Sequence, residues 1–143
     1  MNTNKFLVGG IIGSVAQFLL GWLIWGTLLE NFFKEHTPEA ARVIMRGEND
    51  IIWWALIAGS VFWGFMLSYV INKAGATSAS SGATVGAVIS LLTSASINCF
   101  MYAQMNIGDT TTMMVDIIAN IIVGLIIGAL IGWYLGKGTR AVI

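Results

Sequence analysis

Four stretches of the chain, residues 6–29, 51–72, 82–108 and 117–136, contain no Asp, Glu, Lys, Arg or His. An α-helix rising about 1.5 Å per residue needs about 20 residues to cross a hydrocarbon core roughly 30 Å thick, and each stretch is long enough. These segments predict an all-α membrane protein with four transmembrane helices. A soluble fold of 143 residues would have too little chain left to cover four helices that are apolar all round.

Composition supports that class. Apolar residues make up 57% of the chain and charged residues 10%, with a mean hydropathy of +0.81, whereas soluble domains are about one quarter charged. At this length a single transmembrane domain, residues 1–143, is expected. A net charge of zero with no Lys/Arg-rich run argues against nucleic acid as a partner. The partners expected are the lipid bilayer and, within it, either the protein itself or other membrane subunits. Cys99 is the single cysteine, which rules out an internal disulfide. Lys5 precedes an apolar run, as in a secretory signal, but the run carries Trp22 and Trp25 and reaches Glu30 without a small-x-small cleavage pattern. It reads as a retained first helix.

The loops indicate the orientation. Lys5, Lys73, Lys137 and Arg140 lie on one side with no acid, while Glu30, Glu35, Glu39, Glu48, Asp50, Asp109 and Asp116 are assigned to the other, which also holds Lys34, Arg42 and Arg46. Counting basic residues favours the first side as cytoplasmic by four to three. Both termini are expected in the cytoplasm. In the first loop, Thr37-Pro38-Glu39 resembles an N-cap, a proline at the first helical position and an early acid, and Gly47 resembles a stop. A short interfacial helix over about 38–47 is expected, with Ala40, Val43 and Ile44 toward lipid.

Small residues recur every fourth position. Helix four has Gly124, Gly128, Gly132 and Gly136; helix three has Gly82, Gly86, Ser90 and Ser94, followed by Asn98 and Tyr102; helix one has Gly9, Gly13, Gln17 and Gly21; helix two has Ser60, Gly64 and Ser68. Such series form slowly winding grooves that let helix backbones approach closely. They predict a tight bundle and point to self-association. The chain also reads as two parallel-repeated helical hairpins, with Asp50-Ile51-Ile52 and Asp116-Ile117-Ile118 opening the second helix of each. Their shared direction would make the repeat parallel rather than inverted.

Polar groups at bilayer depth are costly unless partnered, so they are the candidates for function. Gln17, Ser90, Ser94 and Asn98 form the candidate intramembrane polar site, with Thr93 and Asn120 nearby in sequence. The structural alternative has Gln17 hydrogen-bonding across the bundle to Ser94 or Asn98, worth about 0.6 to 2 kcal/mol. His36 has only loop acids beside it, so no metal or cofactor is expected. Trp22, Trp25, Phe32, Phe33, Trp53 and Trp54 fit an aromatic belt, whereas Trp63 lies mid-helix. Neither Ser, Thr nor Cys99 has a histidine or lysine at membrane depth to activate it, so an enzyme is not expected.

The run Gly21-Trp22-Leu23-Ile24-Trp25-Gly26-Thr27-Leu28-Leu29, the Asp116-containing start of helix four and Gly128-Ala129-Leu130-Ile131-Gly132 resemble an uncharacterised family, a domain of unknown function, of small bacterial four-helix membrane proteins. The resemblance covers nearly the whole chain. It implies an inner-membrane location and supplies no catalytic residue. Two functional classes follow from the sequence. One is a structural, accessory or self-associating subunit. The other is a small transporter or channel with a polar path near Gln17, Ser94 and Asn98. The apparent lack of an intramembrane carboxylate favours the first.

Overall fold

The computed structural model describes residues 2–137, the side chain of Glu48 apart. Arg140, counted above on the basic side, lies outside the described residues. The described chain is helical, without strands: α1 (Thr3–Leu23), a π-helical turn (Ile24–Leu28), α2 (Glu30–His36), α3 (Glu39–Arg42), a 3-10 turn (Glu48–Asp50), α4 (Trp53–Lys73), α5 (Ala79–Gln104) and α6 (Thr110–Gly136). Four of these are long and apolar enough to cross a membrane: α1 with its π turn, α4, α5 and α6.

Capping chemistry moves several boundaries from where charge alone would set them. Ser78 and Ser81 form a reciprocal capping box, so α5 starts at Ala79 rather than Gly82 and ends at Gln104 rather than residue 108. Asp109 and Thr112 do the same for α6, which starts at Thr110, seven residues before the charge-free stretch. Asp116 is therefore a helical residue, not a loop residue as the sequence reading had it. It lies six positions past the helix start, or about 9 Å along the axis. Asp50 precedes α4. The two acids taken as repeat markers thus occupy unlike places.

The first loop also departs from expectation. The apolar helix continues through the π turn into α2, which uses up part of the loop, and the helix expected over 38–47 is the four-residue α3. Thr37 does not cap it. Its hydroxyl donates back to the carbonyl of Phe33 and closes α2 instead, while Arg42 donates Nε to the Thr37 carbonyl and Nη2 to that of Lys34. Gly47 falls five residues beyond the end of α3.

One end of the bundle, the lysine end, holds Lys5, Lys73 and Lys137. Lys5 Nζ donates to the carbonyl of Leu135 at 2.8 Å, supplying a cation to the C-terminal turn of α6. Lys137 sits 3.3 Å above the Trp133 ring, and Lys73 lies over Tyr69. Gly75, at φ +67°, lets the chain turn from α4 toward α5 in a conformation that disfavours other residues. The opposite, loop end carries α2, α3 and the α5–α6 turn.

The core centres on α6. Leu67 and Ile71 of α4 meet Val123, Ile127, Ile131 and Leu135 of α6 in one buried cluster toward the lysine end. α6 thus lies against α5 on one side and against the α1–α4 pair on the other.

The two antiparallel pairs pack differently. Along α5–α6 the contact is backbone on backbone. A Cβ on Gly82 or Gly128 would overlap the other's carbonyl oxygen, one on Gly86 would overlap that of Gly124, and one on Gly132 would lie 2.8 Å from Gly82 Cα. The seam runs on to the Thr77 carbonyl at Gly136 and, at the loop end, to Thr110 Oγ1 donating to Tyr102 Oη. Along α1–α4 close approach is confined to the lysine half. Gly9 meets Ser68, Gly13 meets Gly64, and the Ser68 hydroxyl donates to the Phe6 carbonyl at 2.8 Å. Beyond Ser14 the pair separates. A Cβ on Gly21 would meet only its own helix's Gln17 Nε2 at 3.9 Å, and one on Gly59 would meet nothing within 4 Å.

Candidate functional site

Two clefts of about 600 Å³ each open in the loop half, and Trp25 borders both. The first lies where α1 and α4 part, between Gln17, Gly21, Trp22, Gly59, Ser60 and Trp63, with Asn120 of α6 behind. The second lies between the loop ends of α5 and α6, beneath Ala41, Ile44 and Met45 of the first loop.

Trp25 takes its position from the π turn. The Leu29 N–H reaches the Ile24 carbonyl at 2.8 Å, an i to i+5 bond that rotates this turn relative to a regular helix. The Trp25 indole N–H then donates to Asp116 Oδ1 at 2.8 Å. Asp116 Oδ2 accepts from Asn98 Nδ2 at 2.7 Å and from Asn120 Nδ2 at 3.0 Å. One carboxylate thereby ties the π turn after α1 to α5 and α6, and the cluster forms the wall between the clefts. Trp25 is accordingly a hydrogen-bond donor to this cluster and only in part a belt residue. Trp22, Trp53 and Trp54 are exposed, Trp54 to 74%, and Trp22 and Trp53 also border the first cleft.

The residues picked out from sequence do not form a single site. Asn98 is in the Asp116 cluster, where its amide also donates to the Ser94 carbonyl at 2.9 Å. Ser90 and Ser94 are sealed in the α5–α6 seam, and Ser90 Oγ, packed on Gly124, has no hydrogen-bond partner. Gln17 lines the first cleft. Its buried Oε1 has no partner, so the expected bond to Ser94 or Asn98 is not made. The two small-residue series of α5 and α6 face each other within one chain, and Gly9, Gly13, Gly64 and Ser68 do the same for α1 and α4. Ser60 bonds back to the Leu56 carbonyl beside the first cleft, and Gly21 lies against no other helix.

Asp116 is the residue that charge counting misassigned. The signal was present: Asp109 with Thr112 three residues later is an N-cap pattern, and it places Asp116 inside α6, one turn before Asn120. A carboxylate thus lies within a helix long and apolar enough to span the membrane, contrary to the expectation from charge-free stretches. His36 is bound locally, its Nδ1 2.9 Å from the Phe32 carbonyl and its ring stacked on Phe32. Among the described residues no group of three His, Cys, Asp or Glu side chains is placed to hold a metal ion. At the cleft mouth, Asp109 is held below the ordinary carboxylate value of 3.8, first by the Thr112 hydroxyl and then by the Thr112 backbone N–H.

Comparison of the chain with protein-family models, with curated proteins and with solved structures finds no match.

Proposed function

We propose that this protein is a non-catalytic subunit of a membrane assembly, in which the α5–α6 hairpin is a rigid scaffold and the α1–α4 pair receives a partner helix. The observation that carries this reading is the unequal use of small residues. The glycines of α6 are consumed by α5 of the same chain, whereas Gly21 and Gly59 border an uncovered cleft between helices. Small residues at a membrane-facing site permit close helix approach. The simplest partner is a second copy of the chain, which locates self-association at α1–α4 rather than at the α6 groove.

The accompanying placement is the bacterial inner membrane, with both termini and the lysine end in the cytoplasm and the loop end outside. Clustering of Lys5, Lys73 and Lys137 at one end of the bundle supports it. Val43, Ile44 and Met45, all more than 60% exposed, then rest at the lipid–water boundary.

The test uses a Cys99→Ser background carrying Gly59→Cys, treated with a bifunctional thiol reagent in native membranes. A cross-linked species of twice the chain mass, or one joining the chain to another membrane protein, is expected. A species that stays monomeric, with Gly59→Cys fully alkylated by a small thiol reagent, would contradict the reading.

A small transporter or channel is the second reading, and Asp116 within α6 favours it. Against it, Ser90 and Ser94 line neither cleft, and the lysine half is filled by Leu67, Ile71, Ile127 and Ile131, each with 0% exposure. Flux through liposomes that is lost in Gln17→Leu would support this second reading over the first.

A further inference from the structure

We infer that the second cleft, between α5, α6 and the first loop, is a binding site for a lipophilic organic cation whose charge is met by Asp116. This goes beyond the subunit reading and uses a different cleft from the one assigned to a partner helix.

The argument begins with the unbalanced charge. Asp116 accepts three hydrogen bonds, all from neutral donors: an indole and two carboxamides. Neutral donors orient and stabilise a carboxylate but leave its charge in place, and a buried or membrane-level charge is normally paired. Among the described residues no Lys, Arg or His forms an ion pair with Asp116. A carboxylate offers about four lone-pair sites. Oδ2 uses two of them and Oδ1 one, so one direction on Oδ1 remains for a further partner.

The surrounding groups select what that partner is. The cleft contains a second acid, Asp109, and no basic side chain. Two bases of the first loop are engaged elsewhere: Arg42 binds the carbonyls of Thr37 and Lys34, while His36, which acts on Asp109 electrostatically, is stacked on Phe32. The remaining walls are largely apolar, with aromatic and thioether groups among them. Trp25 and Tyr102 offer faces for a cation, and Met45, Met101, Met105 and Met113 offer polarisable surface that adapts to bulky apolar groups. A hydrated inorganic ion would gain little from such walls. A cation with apolar substituents matches both parts, and a volume of about 610 Å³ suits a ligand of that class.

The probe is tetraphenylphosphonium, with tetraphenylborate as a control of the same shape and opposite charge. Each is measured by equilibrium dialysis against the full chain in detergent micelles, with protein-free micelles subtracted. Saturable binding of one phosphonium per chain and no saturable binding of the borate are expected. Asp116→Asn should weaken phosphonium binding on the order of tenfold or more. Asp109→Asn, at the exposed mouth, should weaken it only about twofold, because solvent screens that charge. Tyr102→Leu leaves the carboxylate cluster intact and should also weaken binding, so the proposal does not depend on Asp116→Asn folding. Phosphonium bound no better than borate by the wild-type chain, or equally well by wild type, Asp116→Asn and Tyr102→Leu, would overturn the assignment. Failure of the Gly59→Cys cross-link would leave this result untouched, so the two proposals fail separately.

Discussion

The two long-helix pairs of this molecule use the same small residues at the same spacing to different ends. In α5–α6 each of Gly82, Gly86 and Ser90 meets one or two of Gly124, Gly128 and Gly132, and the Asn98–Asp116 bond extends the contact toward the loop end. In α1–α4 the series is equally regular, yet only Gly9, Gly13, Gly64 and Ser68 are pressed together. The next position of α1 is Gln17, which borders the cleft between the two helices and finds no hydrogen-bond partner for its Oε1. A four-residue glycine repeat therefore permits close approach without enforcing it. What lies beside the repeat decides whether a seam closes.

That contrast can be broken most directly at its tightest point. Gly128→Leu would drive a side chain into the backbone of Gly82 and Gly86, neither of which can rotate away. A loss on the order of 3 kcal/mol or more is expected, at the upper end of overpacking costs. Thermal unfolding in detergent followed by circular dichroism measures it, and a wild-type melting profile would mean that the seam is not closed. Next in size is Asp116→Ala, which leaves the Trp25 indole without its acceptor, while the Asn98 and Asn120 amides keep the carbonyls of Ser94 and residue 116. A loss of about 1–3 kcal/mol is expected for that one donor left unpaired. The same variant should raise the indole exposure of Trp25, read by acrylamide quenching.

The open half gives the opposite expectation. Gly59→Ala meets nothing within 4 Å and replaces a helical glycine, so stability should stay level or rise by up to about 1 kcal/mol. A destabilised Gly59→Ala, in the same melting experiment, would show that the cleft is filled by the chain itself.

The smallest effect belongs to the capping box of α6. Asp109 is held below 3.8 by Thr112, so its carboxylate supports the first turn fully above pH 3.8 and loses that effect as pH falls through the lower folded value. Hydrogen exchange at the backbone amide of Thr112, corrected for intrinsic rates, should be unchanged between pH 7 and pH 5 and should rise only in the acid range. Asp109→Asn should flatten that response.

Legibility in the sequence followed the same division. Four long uncharged segments were enough to give the helices, since lipid-spanning segments are set by length and polarity alone. The glycine positions of α5 and α6 were legible as a groove. What filled that groove was not, because spacing carries no information on whether the partner is the same chain. Asp116 was lost by treating any acid as a loop residue, although the Asp109-Thr112 pattern indicated an earlier start for α6. Trp25 could not be placed by periodicity, because the π turn rotates it away from the position that a regular helix would give. Gln17 stood out in the sequence as a polar residue in an apolar helix, but its absent partner depends on the separation of α1 from α4, a tertiary feature.

Pulsed electron–electron resonance between paired spin labels in lipid nanodiscs, on a Cys99→Ser background, tests this unequal packing most directly. Labels at the exposed Val8 and Tyr69 report the lysine end of α1–α4, and labels at Leu23 and Leu56 report its loop end; Thr84 with Leu130 and Ile97 with Ile118 do the same for α5–α6. The expected result is a clear lengthening from the lysine end to the loop end in α1–α4 and matching distances at both ends of α5–α6. Equal separations at both ends of both pairs would contradict it.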